Sequence, residues 1–236
     1  DPIEKKPLRR FHPGSMILSV GSYGCNLRCP FCQNHGISWS SEAMGYAERA
    51  ETVTPQALAE TAVKLVPRGN LGLAFTYNEP LVGWEFVRDT AKLVHDAGLM
   101  NVLVTNGTAT LTVLEALAPH IDAMNIDLKG FTDRYYTRVL GGSLGMVKAF
   151  IARAVELTHV ELTTLIVPGE NDSEAEMRAL SRWVAGLAGG RAVPLHISRF
   201  FPRFRMTDRE ATEVAHVYRL AEVARERLEY VYTGNC

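Results

Sequence analysis

The stretch Asn101-Val102-Leu103-Val104-Thr105-Asn106-Gly107 is a short, almost continuously apolar run that stops abruptly in a polar turn. A strand with one wet face would alternate apolar and polar residues; a run without alternation suits a parallel strand covered on both faces. Working outward, the same pattern recurs. Expected strands at Met16–Val20, Leu71–Tyr77, Asn101–Thr105, Ala123–Leu128, His159–Val167 and Val193–Ser198 alternate with helix-like segments at Thr54–Val66, Trp84–Ala97, Leu111–Ala118, Leu144–Leu157, Ser173–Leu187 and Asp208–Leu228. Helix starts carry capping signals, such as Thr54 before Pro55 and Thr207 before Asp208 and Glu210, and several ends carry glycine, such as Gly98 and Gly189. Successive βα units with right-handed crossovers give a doubly wound sheet or a barrel. The motifs below favour the barrel, and six units predict a partial (β/α)6 TIM-like barrel, its open side left for a large partner or substrate.

The chain has 236 residues, 47% hydrophobic and 22% charged, with 25 basic and 26 acidic residues and a net charge of −1. That length supports one sizeable core. The charge balance gives no overall reason to coat nucleic acid or an anionic membrane. No apolar run approaches a membrane span, and Asp1-Pro2-Ile3-Glu4-Lys5-Lys6 lacks the apolar region of a signal peptide, so a cytoplasmic protein is expected. The chain does not begin with Met. We divide it into an N-terminal extension, residues 1–15, and a single core domain, residues 16–236, with no linker-like tract marking a second domain.

In a parallel βα barrel the chemistry collects at the C-terminal ends of the strands. Those ends are Gly24–His35, Thr76–Pro80, Thr105–Gly107, Asp127–Gly130, Val167–Glu170 and His196–Arg199, each polar or glycine-bearing after an apolar strand. The first holds three of the four cysteines in Cys25-Asn-Leu-Arg-Cys29-Pro-Phe-Cys32; Cys236 stands alone as a terminal thiol. Crowded thiolates repel unless a cation holds them. Three readings compete: a structural zinc completed by His35, a thiol redox centre, and a [4Fe–4S] cluster with three protein ligands. Zinc sites usually pair two ligand knuckles, and only one compact run is present. A redox Cys-x-x-Cys leaves Cys25 unexplained. Three ligands on a four-iron cluster leave one iron open.

The Cys-x3-Cys-x2-Cys spacing with Phe31 before the third cysteine resembles the signature of the radical S-adenosylmethionine enzymes. That resemblance implies a [4Fe–4S] cluster on Cys25, Cys29 and Cys32 whose open iron is chelated by S-adenosylmethionine. Reductive cleavage would then give methionine and a 5′-deoxyadenosyl radical that takes hydrogen from a substrate, with an external one-electron reductant. It places Phe31 near the adenine. Asn78-Glu79-Pro80 stands where the superfamily has Gly-Gly-Glu-Pro, receiving the methionine amino group, with Tyr77-Asn78 replacing the two glycines. Thr105-Asn106-Gly107 and Asp127-Leu128-Lys129 resemble motifs of the glycyl-radical-enzyme activases, with Lys129 toward the methionine carboxylate. Val167-Pro168-Gly169 matches as a shaped loop, and His196 matches a histidine near the ribose and adenine. Where those activases have an acidic residue before Thr-Asn-Gly for a monovalent cation, this chain has Val104.

The likeness runs from about Met16 to Tyr232. The opening residues 1–8, Cys32-Gln33-Asn34, Phe75–Pro80 and Tyr230–Asn235 look most like the radical enzyme of the AmmeMemoRadiSam system, related to pyruvate formate-lyase activating enzymes. A protein substrate or partner from the same system is the expectation. Each motif also has a plain reading: Thr105-Asn106-Gly107 as a turn, Asp127 with Lys129 as a surface ion pair, His196 as a hydrogen-bonded core residue. His12, His35 and His95 are left as structural or exposed. Arg199-Phe-Phe-Pro-Arg203-Phe-Arg205-Met206 mixes arginine with aromatics, as nucleotide- or protein-binding surfaces do; a rim loop is the preferred reading because the rest of the chain is not basic. Against the enzyme stands a zinc-stabilised binding module, which has no reason to place Glu79, Asp127, Lys129 and His196 at successive strand ends.

Overall fold

The computed structural model describes residues 1–38 and 50–236. Seven parallel strands form one sheet in strict sequence order: β1 (Met16–Val20), β2 (Asn70–Phe75), β3 (Met100–Thr105), β4 (Ala123–Asp127), β5 (His159–Ile166), β6 (Leu195–Arg199) and β7 (Val231–Gly234). Among the described residues, six helices of seven residues or more connect them: α1 (Pro55–Lys64), α2 (Trp84–Asp96), α3 (Leu111–Leu117), α4 (Leu144–Leu157), α5 (Glu174–Ala185) and α6 (Val214–Arg225). β1 and β7 are the sheet's edges, so the wall is a partial barrel with an open side. The six expected strands are present, and β7 is an addition to the six-unit expectation. Its pairing of Val231 with Leu195 and Thr233 with Ile197 continues the parallel wall.

The two faces of the sheet explain the apolar runs. Leu73, Phe75, Leu103, Met124, Ile126, Leu162, Leu195 and Ile197 belong to the main core, shared with helix residues such as Val87, Leu114, Phe150 and Leu180. The residues between them, Ile17, Ala74, Val102 and Ala123, form a second cluster with Ile3 and Leu8. The N-terminal segment therefore packs on the inner face of the wall. It is pinned by Ile3 N–H to the Ser15 carbonyl (3.0 Å) and by Asn125 Nδ2 donating to the Pro7 carbonyl (2.9 Å). Lys6 is fully buried there, with Nζ 3.2 Å from the Asp1 carboxylate.

Thr54, Ser143 and Ser173 cap α1, α4 and α5 by accepting from Ala57, Met146 and Glu176 amides, each worth about 1 kcal/mol. The last helix departs from expectation: it begins at Val214, not near Asp208. Tertiary bonds hold the preceding residues out of the helix. Thr212 Oγ1 donates to the Ile166 carbonyl (2.6 Å) and accepts from Phe200 N–H, the Thr212 carbonyl accepts from Arg199 Nε (2.6 Å), and Arg209 donates to the Pro168 carbonyl (2.8 Å). At Gly72 the strands approach so closely that a Cβ would stand 1.8 Å from the Met100 carbonyl oxygen.

Candidate functional site

The loop after β1 carries the three thiols. Cys29 is buried, and Cys25 and Cys32 are partly so. The loop is seated from two sides. On one, Arg28 N–H donates to the Leu140 carbonyl (2.7 Å), and Gly142 lies so near Leu27 that a Cβ there would be 2.6 Å from its Cδ2. On the other, the Arg/aromatic stretch after β6 closes over it. Arg205 N–H donates to the Pro30 carbonyl (2.9 Å), Phe200 meets Phe31 edge-on at 6.1 Å, and Phe204 stacks on His35 at 4.5 Å. That stretch is a rim loop, and it is also a wall of the cysteine loop. His35, the candidate fourth zinc ligand, has Nδ1 3.2 Å from the Cys32 carbonyl. Among the described residues no three His, Cys, Asp or Glu side chains converge as a single-ion site.

The strand-end motifs meet this loop through Glu79. Its carboxylate is 2% exposed; Oε1 accepts from Thr105 Oγ1 (2.6 Å) and Leu81 N–H (3.1 Å), and Oε2 from Asn106 N–H (2.7 Å). Burial pushes its pKa up to about 7 despite those three bonds. Asn106 then reaches the cysteine loop, with Nδ2 2.9 Å from Asn26 Oδ1 and 3.7 Å from Cys25 Sγ. Asn78 Nδ2 contacts Ser38 Oγ, which lies 3.3 Å from Cys32 Sγ. The turn between β2 and Glu79 is stitched to the cysteine loop by Ser22 N–H to the Tyr77 carbonyl (2.5 Å) and Glu79 N–H to the Gly24 carbonyl (3.3 Å). A Cβ at Gly21 would sit 2.8 Å from that Tyr77 oxygen, so only glycine allows the approach.

At the end of β4, Lys129 Nζ is 2.7 Å from Asp127 Oδ2. Burial works against its charge, but Asp127 and the nearby Cys29 outweigh it and hold the ammonium pKa above the ordinary lysine range. The turn is fixed from behind: Lys129 N–H donates to Tyr136 Oη (3.0 Å), its carbonyl accepts from Asn171 Nδ2 (2.6 Å), and Thr164 Oγ1 donates to the Leu128 carbonyl (2.7 Å). Asn171 also receives Val167 N–H (2.7 Å), tying the Val167-Pro168-Gly169 loop to the same turn.

His196 stands apart from this cluster of bonds. It lies on the inner face of β6, its Nε2 2.6 Å from Glu161 Oε2 and its ring 5.1 Å from that of Tyr232. Glu161, fully buried on β5, also contacts His159 (3.1 Å) and accepts from the Arg9 (3.0 Å) and Arg10 (2.7 Å) amides. Burial alone would raise its pKa; the hydrogen bonds from His159, His196, Arg9 and Arg10 together bring it down to about 2. Sequence reasoning did not single out Glu161, Asn171 or Tyr136. The signal for Glu161 was present in His159-Val-Glu-Leu-Thr-Thr, where polar residues alternate with apolar ones on the inward side of an otherwise buried strand.

Comparison with known proteins decides the family. Residues 19–180 match the Radical SAM superfamily. The chain belongs to that superfamily. Among its relatives, the uncharacterized protein MJ0808 of Methanocaldococcus jannaschii is 38% identical over the whole chain, which spans 68% of that protein. The pyruvate formate-lyase-activating enzyme of Clostridium pasteurianum is 27% identical over 73% of the chain and 71% of its own length. Among solved structures, Streptococcus suis SuiB bound to S-adenosylmethionine shares the fold at a TM-score of 0.71 and 14% identity, covering 94% of this chain and 51% of SuiB. SuiB bound to its precursor peptide SuiA aligns at 0.72 with 12% identity, covering 93% of this chain and 48% of SuiB.

Radical SAM proteins are iron–sulfur enzymes that use a [4Fe–4S] cluster and S-adenosylmethionine, and this chain is such an enzyme. Its donor set fits the cluster. Burial raises the Cys25 thiol and pushes Cys29 up to about 11, so both would stay protonated as free groups, and a bound cationic centre such as the cluster would be needed to hold them as thiolates. With the family shown, the zinc module gives way. No helix among the described residues is long and apolar enough to cross a membrane.

Proposed function

We propose that the chain is the radical enzyme of an AmmeMemoRadiSam-type system, acting in the cytoplasm on a protein substrate or partner from that system. Cys25, Cys29 and Cys32 hold the cluster. When bound, the cluster would supply an electron, taken from an external one-electron reductant, for cleavage of the sulfonium bond of S-adenosylmethionine to methionine and a 5′-deoxyadenosyl radical able to abstract hydrogen. Glu79, aimed by Thr105 and the Asn106 amide, receives the cofactor's ammonium; Asn78 lines the same turn; Lys129, held by Asp127, takes its carboxylate. Phe31 borders the adenine, and His196 orients the nucleoside end from the inner wall. The observation that carries the reading is the Glu79–Thr105–Asn106 network: it joins the ends of β2 and β3 to Asn26 and Cys25, so the ammonium receptor and the cluster ligands share one hydrogen-bonded frame. SuiB, solved with a peptide, supports a protein substrate entering by the open side of the wall.

The second reading is a glycyl-radical-enzyme activase, favoured by the activating-enzyme relative. Val104 speaks for the first. It packs against the inner-face cluster of Ile17, Ala74 and Val102, so an apolar side chain stands where an acidic residue would help bind a cation. The test is anaerobic reconstitution with iron and sulfide analysis, then reduction with S-adenosylmethionine and quantification of 5′-deoxyadenosine. About four irons per chain with reductant-dependent 5′-deoxyadenosine supports the reading; one zinc, no labile sulfide and no cofactor cleavage refutes it.

A further inference from the structure

Glu161 is fully buried on the inner face of β5, and its carboxylate is saturated with partners. Oε1 accepts from Arg10 N–H (2.7 Å) and contacts His159 Nε2 (3.1 Å); Oε2 accepts from Arg9 N–H (3.0 Å) and contacts His196 Nε2 (2.6 Å). A carboxylate offers about four such positions and, when ionised, has no proton to give. Burial works against the charge, yet these bonds keep the group ionised at neutral pH. The His196 nitrogen that faces it therefore carries the proton. In the neutral ring Nδ1 is then a bare acceptor. Among the described residues only Nε2 of this ring is hydrogen-bonded.

The ring stands where the inner face opens. Leu195 and Ile197 enter the helix-side core, so His196 and Ser198 point inward. Register sets Asp127 beside Thr163, Thr163 beside His196, and His196 beside Tyr232, in one row across β4 to β7. Asp127, Thr163 and Tyr232 are partly exposed, whereas Val102, Ala123, Asn125 and Glu161 on the same face are buried. Two strand spacings, roughly 10 Å, separate His196 from Asp127, the partner of Lys129. His196 thus shares a row with the strand-end site although no hydrogen bond joins them.

We propose that Glu161 is a positioning residue that holds His196 as its Nε2–H tautomer, so that Nδ1 serves the open row as a fixed acceptor for a ligand O–H. This rests on the radical SAM reading above, on which the hydroxyl belongs to the ribose of S-adenosylmethionine. The opposite tautomer would turn an N–H to the same place and favour a carbonyl or ether oxygen, so the carboxylate decides the class of group that fits. The Arg9 and Arg10 amides hold Glu161 in turn, which gives the N-terminal segment a part in that choice.

The first measurement uses the cluster-free chain, isotopically labelled at the histidine ring nitrogens, with His196 assigned by the loss of its signals in His196→Gln. Long-range proton–nitrogen spectra at a pH where the rings are neutral should show Nε2 as its protonated nitrogen, and Glu161→Gln should abolish that preference. A wild-type ring protonated at Nδ1, or averaged between tautomers, overturns the proposal whether or not the Glu161 variant folds. So does a folded Glu161→Gln chain that keeps the preference. The second measurement is the affinity of the reconstituted enzyme for S-adenosylmethionine and its 2′-deoxy and 3′-deoxy analogues, in wild type and His196→Gln. The Gln amide can donate to Glu161 from near the place of Nε2, so this cluster-free variant should melt close to wild type; it has no acceptor at the place of Nδ1. S-adenosylmethionine should bind it about tenfold more weakly, a loss of about 1.4 kcal/mol. One deoxy analogue should show that loss in wild type and no further loss in the variant. Equal affinity of the two proteins for S-adenosylmethionine overturns the proposal, as do analogue losses that are the same in both, the pattern a merely structural histidine would give. Wild type that takes up no iron and sulfide is seen before any comparison, and overturns the underlying reading together with the ribose as ligand.

Discussion

Glu79→Gln in the cluster-free chain isolates the electrostatics of the site. Burial lifts the Glu79 pKa from 4.5 to about 7, while Thr105, Asn106 and Leu81 donate to it. The folded chain therefore binds a proton that the unfolded chain has released between those two values. Stability changes with pH as the difference in protons bound by the unfolded and folded states, so here it falls as pH rises. The shift of about 2.5 pKa units corresponds to a loss of about 3 kcal/mol between pH 4.5 and 7 from this one group. Gln cannot ionise, but its amide NH2 is a donor that replaces one of the two accepting oxygens of the Glu79 carboxyl group, leaving a buried donor unpaired at about 1–3 kcal/mol. The variant should be less stable than wild type at pH 5 by that amount and close to it at pH 7.5. Urea unfolding across pH 5–8 measures the difference. Glu176, whose pKa burial also raises, contributes to both proteins and cancels. A wild-type-minus-variant difference that stays flat across this range refutes the assignment of a desolvated, titrating carboxylate at Glu79.

Other expectations follow from the same geometry. With cofactor present, affinity for S-adenosylmethionine in the wild type should rise from pH 6 to 8 as Glu79 ionises, up to tenfold per pH unit below its pKa, and the rise should vanish in Glu79→Gln; isothermal titration measures both. Cys29→Ala should fail to assemble a four-iron cluster under conditions that load the wild type, as iron and sulfide analysis would show. Glu161, with a folded pKa of about 2 against 4.5 unfolded, contributes stability that is present above pH 4.5 and lost as pH falls toward 2, so Glu161→Gln should flatten acid unfolding by about 3 kcal/mol over that window. The same variant should expose the Arg9 and Arg10 amides to faster hydrogen exchange. Gly72→Ala should prevent folding or cost more than about 4 kcal/mol, because its Cβ would stand 1.8 Å from backbone at Met100, which circular dichroism and urea titration would report.

How much of this was legible in the sequence depends on whether a residue acts locally or through a distant partner. The apolar runs and capping residues are local, and the six strands they predict are present, with β7 missed because Val231-Tyr232-Thr233 follows a helix at the very end of the chain and reads equally as a tail. The start of α6 was misplaced for the opposite reason: Thr207-Asp208 has local capping character, but Thr212 and Arg209 bind the end of β5 and the loop after it, and those bonds outweigh the cap. The cysteine spacing left zinc, a redox centre and a cluster open, and it was the resemblance to the radical S-adenosylmethionine enzymes that favoured the cluster and marked Glu79, Thr105 and Asn106. What spacing could not show is that they form one frame. Thr105 and Asn106 are 26 and 27 residues from Glu79, and Asn106 is 81 from Cys25.

The inner face is where sequence reading was weakest, and the reason lies in pairing between residues far apart in the chain. Lys6, Glu161 and His196 are polar residues in a region that folding alone would fill with apolar side chains, and each charge there is costly unless paired. Glu161 is paired with the backbone of the N-terminal segment on one side and with His196 on the other, so the segment that closes the wall and the histidine facing its interior share one carboxylate. That coupling means the N-terminal residues are part of the inner wall, where Glu161 holds the polar groups of both β6 and the N-terminal segment. A free amphipathic extension would have left His196 to find another acceptor, and its orientation would then follow whatever entered the barrel. Here the acceptor is fixed by the Arg9 and Arg10 amides.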